Sequence, residues 1–279
     1  MHYPKDVMVW EFAPGRRLAE FIIKLKNTKG ALATCSEVIA KYNINLLSGF
    51  HSTQGSSQIG IWSFFADMTD SKVEPEEIVE AIKKLPIVEG VEVFPSDNGF
   101  IVDDKHFPVR WSSGRVMMLR TEAAREMMGR LWDVFGSGSA AIINQMAESV
   151  GRFSAQEIIR DFGMDFVIQN LTSFLNSYTA LGIGELKVRR YSADKVMLTI
   201  QAKELFECQG ESMLKPEMKS LFFKGHLKGF ISTIFNTEVS VMEIECAAAG
   251  GEACIFEVAK LSKMNESIAS IVSVRRTSF

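Results

Sequence analysis

Residues Thr237–Val258, TEVSVMEIECAAAGGEACIFEV, carry two of the chain's four cysteines on either side of a small, glycine-bearing turn. Read as strands, Val239–Cys246 and Cys254–Val258 put Met242, Ile244 and Cys246 on one face, and Cys254, Phe256 and Val258 on one face of the neighbour, because strand side chains alternate with period 2. Gly250 and Gly251 let the chain reverse, so both sulfurs point toward the core and approach each other across a hairpin. Three readings stay open at this point: small core residues, a redox pair, or metal ligands. A structural disulfide is disfavoured, since nothing marks the chain as secreted. Glu243 is the nearest further donor. Three positions before Cys246 it faces the other way in a regular strand, and it joins the same site only through a bulge or a strand end.

Upstream of the hairpin the pattern is helical. Thr121 to about Phe135 shows Ala124, Met127, Met128, Leu131, Trp132 and Phe135 at helical spacing, with Thr121 as N-cap and Gly136-Ser137-Gly138 as the stop. A second helix is expected from Ala140 to about Arg152, a short piece from Ser154 to Ile159, and one long helix from Asp165 to Leu181. Gly182-Ile183-Gly184 marks a switch to a hairpin of Glu185–Tyr191 and Lys195–Ala202, and Lys219–Phe235 returns to helix. Gly225 and Gly229 within it signal close helix contact rather than phosphate binding. The second half therefore reads as an α+β domain, an antiparallel sheet packed on helices.

The first half has a different rhythm. Leu18–Leu25 is apolar, Asn27-Thr28-Lys29-Gly30 breaks it, and a helix runs from Ala31 to about Tyr42 with Leu32, Cys35, Val38 and Ile39 near one face. Ile44–His51 and Gln58–Phe65 are strand-like. Pro75 opens a helix striped by Ile78, Val79, Ile82 and Leu85, and Val88–Phe94 closes the set. The order βαββαβ is the ferredoxin-like split motif. The expected organisation is an N-terminal extension over 1–16, a first domain over 17–95, a linker over 96–113, a second domain over 114–260 and a tail over 261–279.

Thirty-one Lys and Arg against 34 Asp and Glu leave a formal net charge of −3, and the basic residues are scattered, which disfavours nucleic acid. No apolar run approaches a membrane span and the N-terminus lacks a signal-peptide core, so a cytoplasmic, soluble protein is expected. Fourteen methionines and 20 phenylalanines against four tyrosines make an adaptable interior that suits an apolar ligand. There is no Gly-rich nucleotide loop, no Ser/His/Asp order, and no paired carboxylates near a histidine that would do acid/base work. His226 alone is a weak axial ligand for haem, and it is expected on the surface of its helix.

The residues KNTKGALATCSEVIAKYNINL resemble the first loop and helix of the ACT domain, a regulatory module of amino-acid pathway enzymes, with Lys29 where that family usually has proline. The resemblance implies amino-acid binding at Asn27, Thr28, Gly30, Ala31 and Leu32. In the second half, SSGRVMMLRTEAAREMMGRLWDVFGSGSAAIINQMAESVGR together with FFKGHLKGFISTIFNTEVSVMEIECAAAGGEACIFEV resembles the two ends of a 4-vinyl reductase domain. That family is similar to phenol-sensor ligand-binding domains and to Golgi transport tethering subunits. The resemblance implies a zinc site at Glu243, Cys246 and Cys254 plus a cysteine on the preceding helix. Ungapped extension puts that last position at about Ser220, a poor zinc ligand; Cys208, His226 or a water are the alternatives.

Three functions are compatible with these patterns. The first is a ligand-responsive regulator that binds an apolar or aromatic small molecule near Phe166, Phe174, Tyr178, Phe222 and Phe230, acting as a homodimer on a downstream protein partner. The second is a dimerisation scaffold like the tethering subunits. The third, a 4-vinyl reductase-type enzyme, lacks any cofactor motif.

Overall fold

The computed structural model describes residues 3–53, 57–112, 114–209 and 220–261, so the tail expected beyond 261 lies outside the described residues. The chain divides into two compact units between Val109 and Arg110.

The first unit contains β1 (Trp10–Phe12), β2 (Leu18–Lys26), α1 (Ala31–Lys41), β3 (Asn45–Thr53), β4 (Ile59–Asp67), α2 (Pro75–Lys83), β5 (Val88–Ser96) and β6 (Phe100–Val102). Four strands form one antiparallel sheet in the order β3-β4-β2-β5, the arrangement that the split βαββαβ pattern demands. Strand alternation decides which side is which. Ala19, Phe21, Ile23 and Leu25 of β2 are buried with Cys35 and Ile39 of α1 and Ile78, Val79 and Ile82 of α2. Gly30 starts α1 from a left-handed conformation (φ 84°) that a side chain disfavours, and Pro75 supplies the preset φ at the start of α2. On the opposite side of the sheet, Leu18 and Phe65 pack against Ile101, Met8, Ala13 and Leu47. There β1 pairs antiparallel with β6, Glu11 opposite Ile101; both strands lie outside the 17–95 stretch in which the sequence places the four main strands.

The second unit begins with a short pair, β7 (Arg110–Trp111) and β8 (Gly114–Arg115), followed by α3 (Thr121–Phe135), α4 (Gly138–Phe162), α5 (Met164–Gln169) and α6 (Leu171–Ala180). Then come β9 (Glu185–Ser192), β10 (Met197–Lys203), a 3₁₀ turn at Phe206–Cys208, α7 (Leu221–Ile234), β11 (Val239–Glu245), a second 3₁₀ turn at Ala247–Ala249, and β12 (Cys254–Lys260). The sheet is antiparallel in the order β11-β12-β10-β9.

Two helix expectations are corrected. The pieces expected at 140–152 and 154–159 are one 25-residue helix, α4, because Gly151 does not break it but serves it. A Cβ there would lie 2.1 Å from the carbonyl oxygen of His226 on α7, so the glycine is what lets the two helices touch. Gly225 and Gly229 return the favour, with Asn144 O and Glu148 O at 2.4 and 2.0 Å from their imagined Cβ atoms. Conversely, the helix expected over 165–181 is broken at Asn170 (φ −108°, ψ 17°) into α5 and α6. The Asn170 amide donates to Phe166 O at 2.9 Å, a side-chain bond that competes with continuation of the helix.

Glu148 is buried at the α4–α7 seam. Burial alone would raise its pKa, but hydrogen bonds from Lys228 and Arg152 hold it below the usual carboxylate range. The core beyond the seam is Phe223, Leu227, Phe230 and Ile231 of α7 packed with Leu198, Ile200, Phe256 and Val258 of the sheet and Leu171, Leu175 and Tyr178 of α6.

Candidate metal centre and its surroundings

Hairpin β11–β12 loses its regular register between Glu243 and Glu245: Glu243 pairs with Phe256, but Glu245 already pairs with Ile255. Ile244 is the extra residue, 54% exposed, and the bulge re-aims the side chains beyond it. The expected alternation of Met242, Ile244 and Cys246 on one face is therefore corrected. Val239 and Cys246 are buried, and the Glu243 side chain is only 4% exposed, on the same side as the cysteines. The bulge is the condition under which an E-x-x-C spacing brings both side chains inward.

Four donors then converge from three places in the fold. Cys208 at the end of the first 3₁₀ turn, Glu243 on β11, Cys246 just past it and Cys254 at the start of β12 have ligand atoms within 4.8 Å of one another. Cys254 Sγ lies 3.5 Å and Cys246 Sγ 3.9 Å from Cys208 Sγ. All three thiols are free and buried. Ser220, where ungapped spacing expects the helical cysteine, precedes α7. Its hydroxyl donates to Glu243 Oε1 at 2.8 Å and sits 3.4 Å from Cys208 Sγ. Cys208 thus occupies the corner that the serine leaves. Its signal in the sequence was only that no other cysteine stands in the second half apart from the hairpin pair.

The surroundings suit negative charge. The amide of Ala247 donates to Cys254 Sγ at 3.4 Å, and Lys224 Nζ lies 3.6 Å from Glu243 Oε2. Oε2 itself is buried with no hydrogen-bond partner, an orphan that costs free energy unless something else meets it. The hydrogen bond donated by Cys254, with the close contacts of Ser220 and Cys246, favours a thiolate at Cys208, pulling it down to about 6, while burial pushes Cys246 up to about 11. Next to Cys208, the buried Glu207 carboxylate accepts the amides of Phe222 and Phe223 at 2.9 and 2.7 Å and so caps the start of α7. Burial raises it to about 8 against those bonds. Arg125 of α3 holds the same turn through the carbonyls of Phe206 and Gln209. Outside the cluster, a cleft of about 240 Å³ is lined by Glu243, Ile244, Glu245, Cys246, Ala249 and Gly251.

The five aromatics named as a pocket fall in two groups. Phe166 and Phe174 pack with Phe162, ring centroids 5.4–6.3 Å apart, and Phe166 is 49% exposed. Tyr178, Phe222 and Phe230 surround His226. The histidine, expected on the helix surface, is buried, its Nε2 2.7 Å from Tyr178 Oη and its Nδ1 without a hydrogen-bond partner. Gly151 explains the difference: it lets α4 close over the His226 backbone. Burial lowers the imidazole to about 4 and raises the Tyr178 phenol, so both are neutral near pH 7.

In the first unit, the loop before α1 is exposed. Asn27 donates its amide to Ser57 O and its backbone N–H to Gln58 O, and the Ala31 N–H donates to Thr28 O. These bonds shape the turn. Leu32 faces the core of the unit.

No family model matches the chain. The uncharacterized protein MJ1460 of Methanocaldococcus jannaschii is 25% identical over 134 residues, 47% of this chain and 81% of that protein. Among solved structures, the phenol-responsive sensory domain of the transcription activator PoxR, solved with phenol, covers 57% of this chain and 83% of its own at 15% identity and a TM-score of 0.44. A vinyl-4-reductase family protein from M. jannaschii covers 53% and 99%, at 15% identity and a TM-score of 0.30. The ACT domain from GTP pyrophosphokinase of Chlorobium tepidum covers 28% and 99%, at 16% and 0.25. The chain is a distant homologue of MJ1460 and has structural similarity to ACT domains, to a vinyl-4-reductase family protein and to a phenol-responsive sensory domain.

Proposed function

We propose that the second unit is a zinc-stabilised regulatory domain that responds to a small apolar or aromatic molecule. The observation that carries this reading is the convergence of Cys208, Glu243, Cys246 and Cys254. Tetrahedral zinc with Zn–S bonds of about 2.3 Å requires sulfurs roughly 3.8 Å apart, and the separations of 3.5 and 3.9 Å bracket that value. Three soft thiolates with one carboxylate match the metal's preferences, and the orphaned Glu243 Oε2 gains a partner. Four protein donors make a closed, structural centre. The ion would pin the 3₁₀ turn to the hairpin and so fix the entry to α7.

The small-molecule part rests on His226. An apolar molecule with one polar group, entering beside Phe222 and Phe230, would satisfy the orphaned Nδ1, a contact that a purely hydrocarbon ligand cannot make.

Protein purified under reducing conditions is expected to hold stoichiometric zinc, measured by elemental analysis, and Cys208→Ala to lose it. Adding Ser220→Cys to Cys208→Ala should restore binding, since that position already touches Glu243. Thermal-shift screening with phenols and indoles should raise the melting temperature of wild type more than that of His226→Leu. Zinc-free native protein that cannot be loaded would sink the metal reading; no shift with either ligand class would sink the sensory one.

A further inference from the structure

The side of the first unit's sheet that faces away from α1 and α2 hides two carboxylates and an imidazole. Glu20 lies on the inner strand β2, between Phe65 of β4 and Phe94 of β5, and is 1% exposed. Asp103 follows β6. Its backbone N–H donates to Val9 O at 2.9 Å, and its Oδ1 accepts the amides of Lys105 and His106 at 3.1 and 3.0 Å. That turn swings His106 back over the sheet. Its Nδ1 comes to 2.8 Å from Asp103 Oδ1 and 3.3 Å from Glu20 Oε1, with Phe50 edge-on to the imidazole at 4.9 Å. Ser63 donates to Glu20 Oε1 at 3.3 Å.

With both carboxyls ionised, charge does not balance within this group; without a metal, burial and the Asp103 charge push Glu20 up to about 7, so that it keeps its proton more readily. The side chains of Glu20, Asp103 and His106 are 1%, 8% and 21% exposed. Even a protonated imidazole neutralises only one of the two carboxylates. Lys105, the cation of the same turn, has its ammonium on the exposed Asp104 at 2.7 Å and over the Phe94 ring. Buried carboxylates without a matching cation are strongly disfavoured.

We infer that Glu20, Asp103 and His106 form a second metal site, one that takes a divalent first-row transition ion such as manganese, iron or cobalt. The three ligand atoms lie within 4.8 Å of one another. In an octahedral shell with bonds of about 2.1 Å, adjacent ligands stand roughly 3.0 Å apart, between the 2.8 and 3.3 Å separations around Nδ1. An imidazole nitrogen selects against magnesium and calcium, and the two oxygens select against soft ions. The donors come from β2 and from the turn after β6, so the ion would fasten the β1–β6 pair to the sheet. Nothing in this site depends on the thiolates of the second unit.

Cobalt(II) titration of the metal-free full chain tests it. Cobalt bound by the cysteines gives a thiolate charge-transfer band; cobalt bound by two oxygens and one nitrogen does not. The expected result is two equivalents, one with the band and one without, and His106→Gln or Glu20→Gln should weaken only the silent equivalent, by roughly tenfold or more. Absence of a silent equivalent in the wild type, or one that neither substitution weakens, overturns the inference. Should the substitutions unfold the first unit, manganese-loaded wild type still decides: nitrogen modulation from a bound imidazole in its pulsed EPR spectrum is expected, and its absence overturns the site. A missing charge-transfer band with the silent equivalent intact would remove the zinc reading alone.

Discussion

His226 shows how far a residue's neighbours can depart from its place in the sequence. Its position in GHLKGF reads as helix surface, yet α4 covers it, and the reason is a glycine 75 positions upstream. Its protonation makes a prediction with a definite sign. The folded pKa of about 4 lies below the ordinary imidazole value of 6.5, so between these values the unfolded chain binds the extra proton. Stability from this group is complete above pH 6.5 and is lost as the pH falls toward 4, by on the order of 3 kcal/mol. Urea unfolding from pH 4 to 7 should therefore show a steeper acid loss in wild type than in a Tyr178→Phe, His226→Leu double variant, which removes both partners together. Equal slopes would refute it. Cys208 is the other residue that the sequence could not place. The hairpin cysteines and Glu243 are linked by local strand geometry, whereas Cys208 meets Cys246 and Cys254 across 38 and 46 positions.

Elements whose pattern is local were legible. The βαββαβ order of the first unit and the antiparallel sheet of the second follow from alternation, glycine breaks and Pro75, and they appear where those signals stand. Helix continuity was less legible, because it is settled by packing. Gly151 looks like a weak point in a helix, but its missing side chain is what α7 needs; Asn170 looks like an ordinary polar position, but its amide turns back on the backbone. The β11 bulge was visible only as a requirement, the condition for Glu243 to join the cysteines. Of the α4–α7 contacts, Gly229 is the tightest. Gly229→Ala places a methyl 2.0 Å from a backbone oxygen that cannot rotate away, so the helices must separate. A loss of roughly 2 kcal/mol or more is expected in denaturant unfolding, whereas Gly138→Ala, with nothing within 4 Å of its Cβ and no positive φ, should cost little. Equal losses in the two would argue against the close seam.

At the scale of the molecule, each unit has its own core, and polar clusters sit where the sequence pattern is least informative. Glu20 and Lys24 interrupt the apolar run LAEFIIKL, and the partners of Glu20 come from a stretch that reads as linker; only folding reveals that they meet. The distribution of thiols has a practical consequence. All four are free and buried, Cys35 inside the first unit and the other three inside the second, and burial raises Cys35 to about 11. Fully buried Cys35 and Cys254 meet an alkylating reagent only when a unit opens, whereas Cys246 already borders the cleft beside the hairpin. Mass spectrometry of the modified peptides should therefore run as two separate clocks: the Cys35 peptide times opening of the first unit, and the Cys254 peptide times opening of the second. If the thiolates hold zinc as proposed, stripping that ion should quicken the second clock.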